Sequence, residues 1–225
     1  MNRITLIILL SVSFLAASCK SPSSPSQANY GDLIPIKTGN QWIYQSTSSD
    51  TTGNVIAVHT DTSIVGLAVE IDSSIWNVFT FPGSTLLQAQ FISSRNDGLW
   101  LFDDQQSGTP LLEFKYPSNI GEENVVLNDS SGLGNGSVIQ FVTKLVSSTE
   151  SVTTKAGVFI CYHYQDMFKV LSPSGNVQFS QNVADIFITP GVGIIKISEP
   201  TDAVTLGTFN KIPMTIRLLT EMHLQ

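Results

Sequence analysis

The sequence predicts an all-β domain, an antiparallel sandwich or barrel with little helix, and three observations carry that expectation. Apolar and polar residues alternate at period two in many short runs. Turn residues punctuate those runs at regular intervals. No stretch keeps a 3.6-residue period for about a dozen positions, the least that an amphipathic helix needs to be legible. Regular short strands separated by turns are the pattern of sandwiches and barrels.

The strands follow in chain order. Residues 41–47 open the pattern with Trp42 and Tyr44 on one face. Further runs cover 56–69 and 75–81, after which Leu87, Ala89 and Phe91 alternate with Gln88 and Gln90. Residues 99–102 form a short run. Leu112, Phe114 and Tyr116 then alternate with Glu113 and Lys115, and Ile139, Phe141 and Leu145 stand opposite Gln140 and Lys144. The last runs are 158–170, 177–188, 194–198 and 214–218. "TTGN" (51–54), "FPGS" (81–84), "RNDG" (95–98), "SGLGNG" (131–136) and "SPSGN" (172–176) separate them. Nothing inside 30–225 reads as a linker, and one domain accounts for it.

Composition bounds the function. Of 225 residues, 42% are hydrophobic and 13% charged, which excludes a charged disordered chain. A domain of this size buries roughly 70% of its unfolded surface, so its core needs no disulfides. The net charge of −7 is offset by no basic stripe, and nucleic acid is excluded as a partner because phosphate contacts need clustered Lys and Arg.

The N-terminus sets the expected location. Arg3 precedes an apolar run over 4–17, shorter than the ~20 residues a membrane-crossing helix needs, and small residues lead up to Cys19. That is the layout of a secretory signal, residues 1–18. Leu15-Ala16-Ala17-Ser18-Cys19 resembles the bacterial lipobox, although Ser18 stands where Gly or Ala is more usual. The resemblance implies cleavage before Cys19, a diacylglycerol on its sulfur and an acylated amino group. Several acyl chains make a stable anchor where one does not. Residues 20–29, "KSPSSPSQAN", read as a flexible tether, with ends on the order of 15–20 Å apart. Lys20 follows the cysteine in place of the aspartate associated with inner-membrane retention, which favours the periplasmic face of the outer membrane. With Cys19 lipidated, Cys161 is a lone thiol in an apolar strand, expected to be buried and inert.

Two further segments carry a family resemblance. "LIPIKTGNQWIYQ" (33–45) and "TPGVGIIKIS" (189–198) are similar to the opening and closing segments of uncharacterised bacterial lipoproteins, and "TKAGVFICYHY" (154–164) resembles their Ala-Gly-x-Phe hairpin. The family implies one curved antiparallel sheet, a half-barrel or barrel related to the LolA/LolB-like carriers of lipid-modified proteins. It implies architecture and no chemistry.

The residue pattern excludes most kinds of chemical site. His59, His163 and His223 are far apart in sequence and form no zinc motif. Cys161 and His163 are spaced to share a strand face, and packing is the expectation for them. No Gly-x-Ser-x-Gly elbow is present. "GLGNG" at 132–136 lacks the following helix that would let it bind phosphate. Asp103-Asp104 and Glu122-Glu123 are adjacent, so in a strand each pair diverges. No catalytic residue, metal or cofactor is expected. The expected function is a non-catalytic, lipid-anchored envelope domain that binds or scaffolds a partner. The alternative is a carrier of a lipid or other apolar ligand, with Trp42, Trp76, Phe79, Phe91 and Trp100 as candidates to line its concave face. An enzyme would need Cys161, His163 or Asp166 to meet other polar groups in a cleft.

Overall fold

The structure, a computed structural model, describes residues 32–81, 90–102, 108–130, 136–200 and 214–225. Cys19, residues 20–29, Leu87, Gln88, Ala89, Asp103-Asp104 and residues 131–135 lie outside them. The described residues contain no helix. Six strands come from the first half of the chain: β1 (Gln41–Ser49), β2 (Val55–Ile71), β3 (Ser74–Phe79), β4 (Gln90–Arg95), β5 (Gly98–Phe102) and β6 (Pro110–Lys115). Six more follow: β7 (Glu123–Asp129), β8 (Val138–Thr154), β9 (Gly157–Leu171), β10 (Val177–Thr189), β11 (Gly193–Pro200) and β12 (Met214–His223).

All twelve pair antiparallel in one sheet, ordered β6-β5-β4-β3-β2-β1-β12-β11-β10-β9-β8-β7. Every pair of neighbours is consecutive in sequence except β1 and β12, which join the two ends of the domain in the middle of the sheet. The free edges, β6 and β7, are consecutive too, and the sheet curls until it nearly closes into a barrel. The single curved antiparallel sheet expected from the sequence is what forms. A two-sheet sandwich is not.

Period-two burial explains the curl. Trp42, Tyr44, Ser46 and Ser48 of β1 all turn inward and are buried, while their neighbours are more exposed. Leu219, Ile197, Leu145 and Tyr164 do the same from β12, β11, β8 and β9, while at the end of β10 and the start of β11 successive residues are buried, Ile186 and Ile195 among them. These side chains meet Phe79, Ile92, Leu99 and Phe114 from the other half of the sheet in one core. A sheet with one continuous apolar face buries it by closing on itself, which also removes exposed edges.

The segment before β1 stops one end of the barrel. Leu33 and Ile34 are buried in the core. Asn40 fixes their loop by donating from Nδ2 to the Pro35 carbonyl (2.8 Å) and accepting from the Gln225 amide (2.9 Å). Here the two resembling end segments meet. The Trp42 indole donates to the Val192 carbonyl at 2.7 Å, and the Tyr44 hydroxyl to the Ile194 carbonyl at 2.9 Å. Gly193 has φ +114°, and a Cβ there would lie 2.9 Å from the indole nitrogen. Glycine is required both for the backbone conformation and for the approach of the ring.

Candidate functional site

The barrel is completed at the β6–β7 seam by side chains instead of a strand ladder. Among the described residues no strand pairs with the outer edge of β6. Asn124 Nδ2 donates to the Leu112 carbonyl at 2.6 Å, Thr143 Oγ1 to the Glu113 carbonyl at 2.7 Å and the Tyr164 hydroxyl to the Lys115 carbonyl at 2.9 Å. Each bond contributes about 1 kcal/mol net, and each spares a buried carbonyl the larger cost of having no partner. Phe114 packs on Tyr164 with ring centroids 5.2 Å apart. Burial of Tyr164, first among the causes, pushes its phenol well above the ordinary tyrosine range, so it remains a donor.

Behind this seam lies a cavity of about 330 Å³, walled by β4 to β10. Its walls are mainly apolar: Leu101, Leu111, Val126, Leu127, Phe141, Val142, Met167 and Val183, with Gln90, Glu113, Thr143 and Asp166 as the polar members. Three of these residues are β-bulges. Leu99 pairs with Phe114 and Trp100 with Leu112, which leaves Glu113 as the extra residue of β6. Val126 is extra in β7, between partners of Val142 and Phe141, and Val183 is extra in β10, between partners of Met167 and Asp166. Bulges bend a strand and re-aim a side chain. Here three strands bend around one space, and the extra residue of each points into it.

Two carboxyls share that space. Burial pushes Glu113 up to about 7. Asp166 is pushed well above the carboxylate range, first by burial and then by the negative charges of Glu113, Glu199 and Asp185. Asp166 Oδ1 is buried and accepts no hydrogen bond. On the barrel's inner face beyond it, Arg217 binds the Asp61 carboxylate (3.2 Å) and Glu199, and Ser46 also bonds Asp61. The one interior arginine in that array is already matched by two carboxylates.

The other sequence candidates are distributed elsewhere. Trp42 and Phe79 pack edge-to-face in the core, ring centroids 6.0 Å apart. Trp76, Phe91 and Trp100 stand on the opposite face of β3–β5. There the Arg95 guanidinium lies 4.9 Å from the Trp76 ring and 4.7 Å from the Trp100 ring, with Phe102 beside Trp76 and Phe91. The five aromatics therefore share no common face, and none of them lines the cavity. His163 is held between Glu150 (3.0 Å) and Asp185 (2.7 Å) and stacks on Phe187. Cys161, two residues away, is buried against Thr189 (3.4 Å) instead, and burial pushes its thiol up, away from the reactive thiolate. Glu122 and Glu123 diverge, Glu122 to Lys115 and Glu123 to Lys169 (2.6 Å). Among the described residues no group of three or more His, Cys, Asp or Glu side chains is placed to hold a metal ion.

Asp166 had a readable signal: at period two it shares a face with Tyr164 and Phe168, both buried aromatics. Glu113 had none, because alternation from Leu112 and Phe114 points it outward.

Fold and site together define a class: an up-and-down β-barrel, closed by a side-chain seam, with a carboxyl-bearing apolar cavity. The chain is similar to two solved structures. One, from Bacteroides fragilis, is described as an exported protein with a YmcC-like fold, at 16% identity and a TM-score of 0.43, covering 86% of this chain and 99% of that one. The other, from Parabacteroides distasonis, is described as a lipoprotein, at 16% identity and a TM-score of 0.40 over the same shares. No family model and no curated protein matches the chain.

Proposed function

We propose that the chain is a lipid-anchored envelope protein that binds a small apolar ligand in the β6–β10 cavity and catalyses no reaction on it. The observation that carries this reading is the cavity itself. Its walls are mainly apolar, and three independent bulges are spent on shaping it. Its volume lies at the lower end of the ~300–1,000 Å³ usual for small-molecule sites. That corresponds to about ten heavy atoms, if each takes the ~30 Å³ of a liquid water. Native mass spectrometry of the mature protein from its own host should find a co-purified apolar molecule, lost in the cavity-filling variant Leu111→Phe. A bare protein mass under conditions that preserve known complexes would overturn the reading.

The anchor is the second part of the proposal, supported by the lipobox-like Leu15–Cys19 and the tether behind it. The outer membrane, periplasmic face, is the location it favours. Cys19→Ala should move the protein from the membrane to the soluble fraction, and unchanged membrane association would refute lipidation.

General acid–base chemistry by Glu113 and Asp166 is a second reading, and one observation favours it: burial holds Glu113 near neutrality, where such a group works best. Against it, Asp166 Oδ1 has no partner to orient it.

A further inference from the structure

The cavity's polar groups differ from those a fatty acid or a neutral lipid would need. Among the described residues its lining carries two carboxyls, Glu113 and Asp166, and no Lys, Arg or His. Cations on the surrounding strands are engaged elsewhere: Lys115 with Glu122, Lys144 and Lys169 with Glu123, and Arg217 with Asp61 and Glu199. The Thr143 hydroxyl is committed as a donor to the Glu113 carbonyl. A ligand anion entering here would meet no positive charge from the described lining, and the Glu199 and Asp185 carboxylates bearing on Asp166 would repel it. Asp166 Oδ1, by contrast, is a buried acceptor with no donor. Such an atom costs stability unless something supplies a hydrogen bond to it.

We infer that the ligand is an apolar amine, its ammonium held by the Glu113 and Asp166 carboxylates and its hydrocarbon part against the walls of Leu101, Leu111 and Phe141. This inference rests on the reading of the cavity as an apolar-ligand site. An ammonium has three donors and no acceptor, and so complements a pair of acceptor-only carboxylates. It also neutralises the charge that makes the empty pair costly. The bulge at Glu113 is then the device that sets one of the two carboxyls against the other. A carboxyl that is protonated before binding loses its proton to solvent as the ammonium enters, so binding releases protons and makes no covalent bond.

The test uses the secreted chain carrying Cys19→Ala, which keeps every residue of the barrel and needs no detergent. Three probes of matched size, octylamine, 1-octanol and octanoate, are titrated calorimetrically at pH 6 and pH 8. Octylamine should bind about tenfold or more tighter than 1-octanol at pH 8, the gain expected for one charge-assisted hydrogen bond. Its binding should strengthen from pH 6 to pH 8, because Glu113 loses its proton through about 7 while an alkylamine stays charged up to roughly pH 10. Glu113→Gln and Asp166→Asn should bring octylamine down to the level of 1-octanol measured on the same variant. If octanoate or 1-octanol binds as tightly as octylamine, the amine assignment is overturned and the apolar-ligand site stands. If none of the three binds to protein that melts cooperatively, the site itself fails and the amine assignment with it.

Discussion

Trp42→Ala is expected to remove about 3–5 kcal/mol of unfolding free energy, the range for deleting a buried tryptophan. Domains are stable by only about 5–15 kcal/mol, so the variant should unfold at far lower urea concentration or fail to accumulate. The indole is fully buried, packs edge-to-face on Phe79 and donates to Val192, so one truncation opens a cavity and orphans a carbonyl. Trp42→Phe separates the two effects: it keeps most of the packing, loses the donor and should cost about 1–3 kcal/mol. Gly193→Ala should cost about as much from the other side of the same contact, through its left-handed φ of +114° and a Cβ 2.9 Å from the indole nitrogen. In the Trp42→Ala background the steric part of that cost disappears and the backbone part remains. The double mutant should therefore be less destabilised than the sum of the singles. A cost below about 1 kcal/mol for Trp42→Ala, measured by urea unfolding, would mean that the two ends of the domain are not joined through this ring.

The second large effect is a fall in stability as pH rises. Glu113 is raised from 4.5 to about 7 in the folded state. Below pH 4.5 both states hold its proton. Between 4.5 and 7 the folded state keeps a proton that the unfolded state releases, so stability drops as pH rises, and above 7 the loss is complete. At about 1.4 kcal/mol per pH unit, the loss comes to about 3 kcal/mol. Asp166 is raised too and adds to the loss in the same direction. Two surface carboxylates act oppositely. Asp50, held down to about 2 chiefly by the Thr52 hydroxyl and the Asn54 amide, stabilises the fold above its ordinary range, as does Glu122, held down to about 2 chiefly by the Asn119 amide and Lys115. Their contributions are lost as pH falls toward 2. Melting temperature should accordingly peak in mildly acid solution and decline toward pH 8. Glu113→Gln should raise the melting temperature at pH 8 and flatten the decline, and the same decline in wild type and variant would show that Glu113 is not buried beside Asp166.

Both expectations concern side chains that the linear pattern treats very differently. Trp42 was legible as a core anchor, because a strand shows its faces locally and Trp42 and Tyr44 stand two residues apart. The turns "TTGN", "RNDG" and "SPSGN" were legible as well, since turn residues act over three or four positions. The partnership of Trp42 with Val192 was not, because that contact spans 150 residues. β7 was missed for a related reason. In "ENVVLND" the bulged Val126 breaks the alternation, so a genuine strand shows a run of apolar residues too short to read. Glu113 was read as outward for the same cause.

What the sequence by itself determined is therefore whatever a single strand or turn displays: an all-β, antiparallel architecture with little helix, and the turns at 51–54, 95–98 and 172–176 that punctuate it. Only the tertiary structure decided that β6 and β7 are the free edges, that side chains close them, and that Glu113 meets Asp166 in a cavity. The physical reason is that a bulge belongs to the register between two strands. One extra residue reverses the face of a side chain, yet it changes nothing in the strand's own sequence except a period that appears slightly out of step.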